Sequence, residues 1–142
     1  MIIQVLGALI GVIGFSIISG VPKKFLIHCS ISGAAGWFVY LVSKSINEDE
    51  VLSMFLAALV VSLLSHIFAR ACKAPVTIFL IPGILPLVPG IGMVRSVYYN
   101  IVHNSTLTAY NLSLTLQTAG AIAIAILIMD TCFRMYRINK RK

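Results

Sequence analysis

The chain has 142 residues, of which 59% are hydrophobic and 11% are charged, and its mean hydropathy is +1.00. This is far more apolar surface than a soluble core of this length can bury, so the composition excludes an ordinary soluble domain and indicates an integral membrane protein. The net charge of +7 does not by itself indicate a nucleic-acid partner, because most of the basic residues stand at the ends of apolar segments.

Five apolar segments are long enough to cross the hydrocarbon core of a bilayer, which takes roughly 20 residues at about 1.5 Å per residue. They occupy residues 2–20, 25–43, 51–70, 75–95 and 107–130. No basic residue precedes the first segment and no A-x-A pattern follows it, so we interpret it as a retained span rather than a signal peptide. The sequence therefore predicts one all-α integral membrane domain over residues 1–142, a bundle of five transmembrane helices.

Nine of the 11 basic residues mark one side of the membrane, while Lys44 and Arg95 fall on the other. These nine follow the first, third and fifth spans, at Lys23, Lys24, Arg70, Lys73, Arg134, Arg137, Lys140, Arg141 and Lys142. By the positive-inside rule this pattern predicts that the N-terminus lies outside the cell and the C-terminus in the cytoplasm. We interpret the basic cytoplasmic tail, residues 134–142, as an anchor on anionic lipid rather than a nucleic-acid-binding arm.

Small residues form candidate packing faces on three of the spans. Where glycines recur every three or four residues, another helix can approach closely, and close packing drives helix association in lipid. We expect helix-packing roles at Gly7, Gly11, Gly14, Gly33, Gly36 and Gly120. Any one face could pack within the chain, but several on so small a bundle favour at least one contact with a partner chain.

The fourth span contains the sequence IPGILPLVPG, Ile81–Gly90, which an unbroken helix cannot accommodate. Pro82, Pro86 and Pro89 each lack the N–H that would bond the carbonyl four residues earlier. Each proline also disfavours helical geometry in the residue before it. The sequence therefore predicts that the helix stops near the first residue of this stretch and resumes near the last.

A break in a transmembrane helix leaves backbone polar groups unpaired, and the places where such groups are tolerated indicate what the break is for. Irregular backbone at membrane depth is tolerated only where protein buries it or water reaches it, because each unpaired polar group in hydrocarbon costs several kcal/mol. Such breaks are typical of transporter or channel sites, whereas the alternative is a tight turn packed for shape alone. We predict a substrate pathway that includes Ile81, Pro82, Gly83, Pro86, Pro89, Gly90, Gly92 and Gln117.

Other polar residues in the spans are few. Gln117 lies well inside the fifth span, where an unpaired amide is costly, so we expect it to face the protein interior or a solute. Asp130 lies four residues before Arg134, which predicts an ion pair at the end of that helix. We interpret His66 as a solvated residue at the membrane boundary.

The sequence carries no catalytic, cofactor or metal motif that we recognise. There is no H-E-x-x-H, G-x-S-x-G or P-loop pattern, and no cluster of carboxylates that could hold Mg²⁺. Cys29, Cys72 and Cys132 are odd in number and widely spaced, so they support neither a disulfide framework nor a metal site. We therefore do not expect an enzyme.

The stretch APVTIFLIPGILPLVPGIGMVRSVY, Ala74–Tyr98, resembles the small-subunit branch of the threonine/serine exporter family. The resemblance in overall plan covers nearly the whole chain. It implies a larger five-span partner subunit with a cytoplasmic portion, and export of small amino acids or of small dicarboxylates such as succinate. It also implies a multi-pass protein of the bacterial inner membrane.

The orientation predicted from the basic residues agrees with the two-subunit arrangement that the resemblance implies. Two five-helix halves of opposite orientation would form an inverted-topology pair, in which solute sites lie between the halves. We therefore predict a subunit of a two-component exporter. The alternatives are a non-transporting assembly or scaffold subunit and a channel-like pore subunit. The sequence leaves open the solute, the driving force, the stoichiometry, and whether the broken span is a re-entrant loop or two half-helices.

Overall fold

The computed structural model describes residues 2–139, with side chains described as far as residue 136. Within this range the chain is all-helical and has no strand, which confirms the predicted class. The helices are α1 (Ile2–Ile18), α2 (Leu26–Ile46), α3 (Glu50–Ala71), α4 (Thr77–Ile84), α5 (Gly90–Ile101) and α6 (Ser105–Asn139). Residues 140–142 of the predicted basic tail lie outside the described residues.

Three helical segments have the length and apolar composition of membrane spans, namely Lys23–Ile46, Glu50–Ala71 and Ser105–Tyr136. Helices α4 and α5 form a fourth candidate if they are counted as one span, and they are bent by 47° at the break between them. Helix α1 is apolar but has only 17 residues, so it is about 25 Å long. The described helices therefore give three or four span candidates, and the predicted five spans and their orientation stay predictions.

Helix α2 lies at the centre of the packing, against α1, α3 and α4, while α6 packs against α3 and α5. Two apolar clusters result. One joins α2, α3 and α6 around Ala57, Val61, Leu87 and Ala125, all fully buried. The other joins α1, α2 and α4 around Val12, Cys29 and Phe79. Helix α5 packs against α6, away from both clusters.

The predicted packing glycines fall into two groups in the structure. A Cβ atom added to Gly33 would lie 2.6 Å from Val12 Cγ2, and one added to Gly36 would collide with Val61 Cγ2. These two glycines therefore allow α1 and α3 to approach α2. In contrast, a Cβ would meet no described atom within 4 Å at Gly7, Gly11, Gly14 or Gly120.

The broken span differs from the prediction at its first end. Helix α4 does not stop near Ile81 but continues through Pro82 to Ile84, and a 3-10 turn follows over Leu85–Leu87. Pro86 occupies the second position of that turn, where an early proline is tolerated because the first N–H groups of a helix have no intrahelical acceptor. Helix α5 begins at Gly90, as the sequence predicts.

Candidate functional site

The break between α4 and α5 lies level with the middle of α2 and α3. A Cβ added to Gly83 would lie 2.9 Å from Ser32 Oγ and 3.0 Å from Val61 Cγ1, so the α4 backbone passes directly against both helices. Leu87 lies beside Gly36, since a Cβ added there would be 3.7 Å from Leu87 Cδ1. Val61 and Gly36 are each near the midpoint of their helix. The irregular backbone is therefore at mid-depth in the bundle.

All three carbonyls that the prolines deprive of a helical partner are hydrogen-bonded inside the chain. The carbonyl of Ile78 accepts from the thiol of Cys29, with Sγ and O 3.3 Å apart. The carbonyl of Pro82 accepts from the N–H of Leu85, and the carbonyl of Leu85 accepts from the N–H of Val88 at 3.2 Å. These three carbonyls are thus satisfied without a solute.

The donor side of the break is different. The N–H groups of Ile91 and Gly92 stand in the first turn of α5, where no intrahelical acceptor is available. The N–H of Gly90 already donates to the carbonyl of Val88 at 2.7 Å. A helix start of this kind carries partial positive charge and favours an anionic group nearby.

The predicted pathway residues of the break do not share one surface. Pro82 and Gly83 are buried within the chain, and Gly92 packs against Thr115 of α6. Ile81 and Gly90 are exposed on the outer surface, with Pro86 and Pro89 half-buried between these groups. The break therefore has one face packed into the chain and another face open.

Gln117 does not face the interior of this chain, so of the two surroundings that we expected, protein interior or solute, the second stays a prediction. It is exposed on α6, and its Nε2 donates to Ser113 Oγ at 3.1 Å. Thr115 is buried and faces α5, and residues two apart on a helix point to different sides. Gln117 therefore points away from the break within this chain.

A second polar feature, which the sequence reasoning missed, lies where α3, the α3–α4 connection and the C-terminal part of α6 meet. We call it the basic cleft; its volume is about 970 Å³, and its lining includes His66, Arg70, Lys73, Asp130 and Arg134. The buried ring of His66 is not the solvated residue we expected. Its Nε2 lies 3.7 Å from an Asp130 carboxylate oxygen.

In place of the ion pair predicted within α6, the structure shows a contact between the Asp130 carboxylate and the His66 ring of another helix. Asp130 pairs with His66 of α3, and the side chains described include no ion pair between Asp130 and Arg134. The sequence signal was present, since basic and acidic residues share one end of the third and fifth spans. What sequence could not supply was the contact between α3 and α6, which brings these ends together.

Comparison with known proteins bears on the identity of the chain. The family model for the threonine/serine exporter, ThrE, matches residues 4–132. An uncharacterized protein of Haemophilus influenzae is 30% identical over 88 residues, which are 62% of this chain and 30% of that protein. The matched region thus spans less than a third of that relative's length, and no solved structure matches the chain. The family match confirms the resemblance drawn from Ala74–Tyr98: the chain belongs to the threonine/serine exporter family, a family of membrane transporters.

Proposed function

We propose that the chain is one subunit of a two-component exporter in a bacterial inner membrane, with its N-terminus outside and its C-terminus in the cytoplasm. Its partner is a larger five-span subunit with a cytoplasmic portion. The exported solutes are small amino acids such as threonine and serine, or small dicarboxylates such as succinate. Family membership supports the transporter class, and the open face of the break supports an incomplete pathway.

The observation that carries this proposal is the exposed surface at and around the break, at mid-depth in the bundle. Ile81 is 55% exposed, Val88 47% and Ile91 72%, and all three flank the break. Irregular backbone that faces lipid at this depth is not tolerated, because hydrocarbon cannot satisfy its polar groups. A second subunit that covers this face, with solute and water between the two subunits, would supply hydrogen-bond partners for these polar groups.

The free face of α1 supports a partner as well. Gly7, Gly11 and Gly14 have no described atom within 4 Å of an added Cβ, and Ile3 and Ile10 beside them are 84% and 67% exposed. Small residues framed by aliphatic side chains are the usual contact surface between helices in lipid. Helix α1 therefore offers the partner a place to pack.

The test is efflux from cells loaded with labelled threonine, serine or succinate. Three strains are compared, with this chain alone, the candidate partner alone, and both together. We expect efflux of at least one solute only when both chains are present. Absence of efflux in every strain, with both chains shown to be in the membrane, would contradict the proposal.

One observation favours a second function, a scaffold subunit that does not transport. All three carbonyls freed by the prolines are satisfied within the chain, as a break used only for packing would require. Replacing Pro86 and Pro89 together by alanine separates the two functions. An exporter should lose flux while the two chains still co-purify, whereas a scaffold should lose co-purification.

A further inference from the structure

The basic cleft carries more positive charge than its own acidic residue can balance. Arg70, Lys73 and Arg134 are on its wall with Asp130 as the acidic residue of the lining. Among the described side chains, none of these three cations has a carboxylate oxygen within 4.0 Å. The cleft can therefore accept an anionic group from outside the chain.

Arg70 is held in place for such a contact. Its Nη2 donates to the carbonyl of Phe133 at 3.3 Å, and its guanidinium lies 4.5 Å from the centre of the Phe133 ring. A guanidinium has five N–H donors, so most of them stay available. An arginine fixed by a ring and a carbonyl loses little freedom on binding a carboxylate, for which its planar fork is well suited.

Asp130 gives the cleft a second, opposite charge. Its side chain is 67% exposed although it lies beside the buried ring of His66. Asp130 lies beside His66, about one turn of α3 before Arg70, and both Asp130 and Arg70 line the cleft. A ligand between them would meet positive charge at one end and negative charge at the other.

We propose that the basic cleft binds a small zwitterion, an α-amino acid whose carboxylate contacts Arg70 and Lys73 and whose ammonium group contacts Asp130. As a loading site for export, this inference rests on the function proposed above. A dicarboxylate fits less well, because its second carboxylate would face Asp130 and be repelled. A phosphatidylethanolamine headgroup carries the same pair of charges and is the other source of this chemistry.

The position of the cleft suits a solute that then moves from the cleft toward the middle of the helix bundle. Ala74, Pro75 and Val76 form part of its lining and lead directly into α4, so the cleft stands at one end of the broken span. Ser62 lies one turn of α3 further in from His66. It is fully buried, and its Oγ has no hydrogen-bond partner among the described residues.

The experiment is a binding measurement that does not depend on flux. The full chain, with and without its proposed partner, is placed in phosphatidylcholine nanodiscs, and equilibrium dialysis measures binding of L-serine, serinamide, glycerate and succinate. Serinamide lacks the carboxylate, and glycerate replaces the ammonium group by a hydroxyl. We expect saturable binding of serine, with serinamide and glycerate weaker by about tenfold or more, since each lacks one charge contact.

Three variants assign the charges. Asp130→Asn should weaken serine about tenfold while leaving succinate equal or tighter, and Arg70→Gln should weaken both. Lys73→Gly should also weaken both while keeping the fold, because Lys73 has a φ of +50°, a conformation that glycine adopts freely at helix ends. Arg95→Gln is the matched control, since Arg95 is an exposed cation on α5 outside the cleft.

Each outcome decides something. Equal binding of serine and glycerate, or serine binding unchanged in both Asp130→Asn and Lys73→Gly, would overturn the zwitterion site while leaving the exporter proposal intact. Serine binding in the cleft without efflux of any solute would contradict the exporter proposal and leave the site. If adding phosphatidylethanolamine to the discs removes serine binding, competition identifies the lipid headgroup as the ligand and overturns the amino-acid site.

Discussion

Cys29 is a buried residue whose thiol has a specific use. It donates to the Ile78 carbonyl that Pro82 leaves without its helical partner. In the sequence the cysteine had no evident role, because the contact joins residues 49 positions apart. The pairing explains why α4 continues through its proline, since the acceptor that would otherwise be unpaired has a donor on α2.

We predict that Cys29→Ala costs about 1 kcal/mol or more of unfolding free energy, the penalty for a buried acceptor left unpaired. Cys29→Ser should cost less, because the hydroxyl can donate to the same carbonyl. Reversible unfolding of the chain in mixed micelles would measure both. Cys132→Ala is the control, since Cys132 is exposed.

A double-mutant cycle sharpens this test. In Pro82→Ala the residue regains an N–H that can bond the Ile78 carbonyl, so the penalty of Cys29→Ala should shrink in that background. An unchanged penalty would mean that the thiol acts through packing volume rather than through its hydrogen bond.

At the scale of the elements, α5 is attached to the molecule through α6. The two helices approach closely at Gly92, where an added Cβ would collide with Thr115 Oγ1. Thr115 in turn donates to the carbonyl of Asn111 at 2.7 Å, which fixes its side chain. The glycine therefore sets the distance between the two helices.

We predict that Gly92→Val displaces α5 from α6 and destabilises the chain by about 1–3 kcal/mol, as overpacking does. Gly90→Ala, two residues earlier, should be nearly neutral, because a Cβ there meets no described atom within 4 Å. Cross-linking yield between cysteines placed on α5 and α6 would measure the displacement. Equal yields in the two variants would show that Gly92 does not set the helix spacing.

The elements also show how far sequence reasoning reaches. Hydropathy and proline chemistry predicted the all-α class and the restart of helix at Gly90. The end of α4 was wrong by three residues, because the pairing of Ile78 with Cys29 depends on a neighbouring helix. For the same reason the pair between His66 and Asp130 was missed, since sequence does not tell which helices are adjacent.

The sequence predicted where the break lies along the chain, but not which of its residues face the interior of the chain. Proline positions located the break, but which of its residues are buried depends on the close approach at Gly83, a tertiary contact. Gln117 was expected to face the protein interior or a solute because amides are costly in lipid; within this chain it is exposed and donates to Ser113, one turn away on its own helix.

For the whole molecule, the glycines that pack within the chain serve its folding, whereas the open glycines are available for assembly with another chain. Gly33 and Gly36 are used within the chain, whereas Gly11 on α1 is free. We predict that Gly11→Leu leaves the chain folded but lowers co-purification with its proposed partner about tenfold, because a large side chain blocks close helix approach. Gly120→Leu, another open glycine but on α6, tests whether the effect is specific to α1.

The 47° bend between α4 and α5 separates two packing units. Helix α4 is attached to α2 and α3, whereas α5 is attached to α6. No α-helical hydrogen bond spans Val88 and Pro89, because Pro89 has no N–H, the Val88 N–H donates to the carbonyl of Leu85, and the Gly90 N–H donates to the carbonyl of Val88. The break is therefore a joint in the backbone: the angle between α4 and α5 can change without breaking an α-helical hydrogen bond between them, while α6, continuous over Ser105–Asn139, holds α5 to the rest of the bundle through its packing on α3.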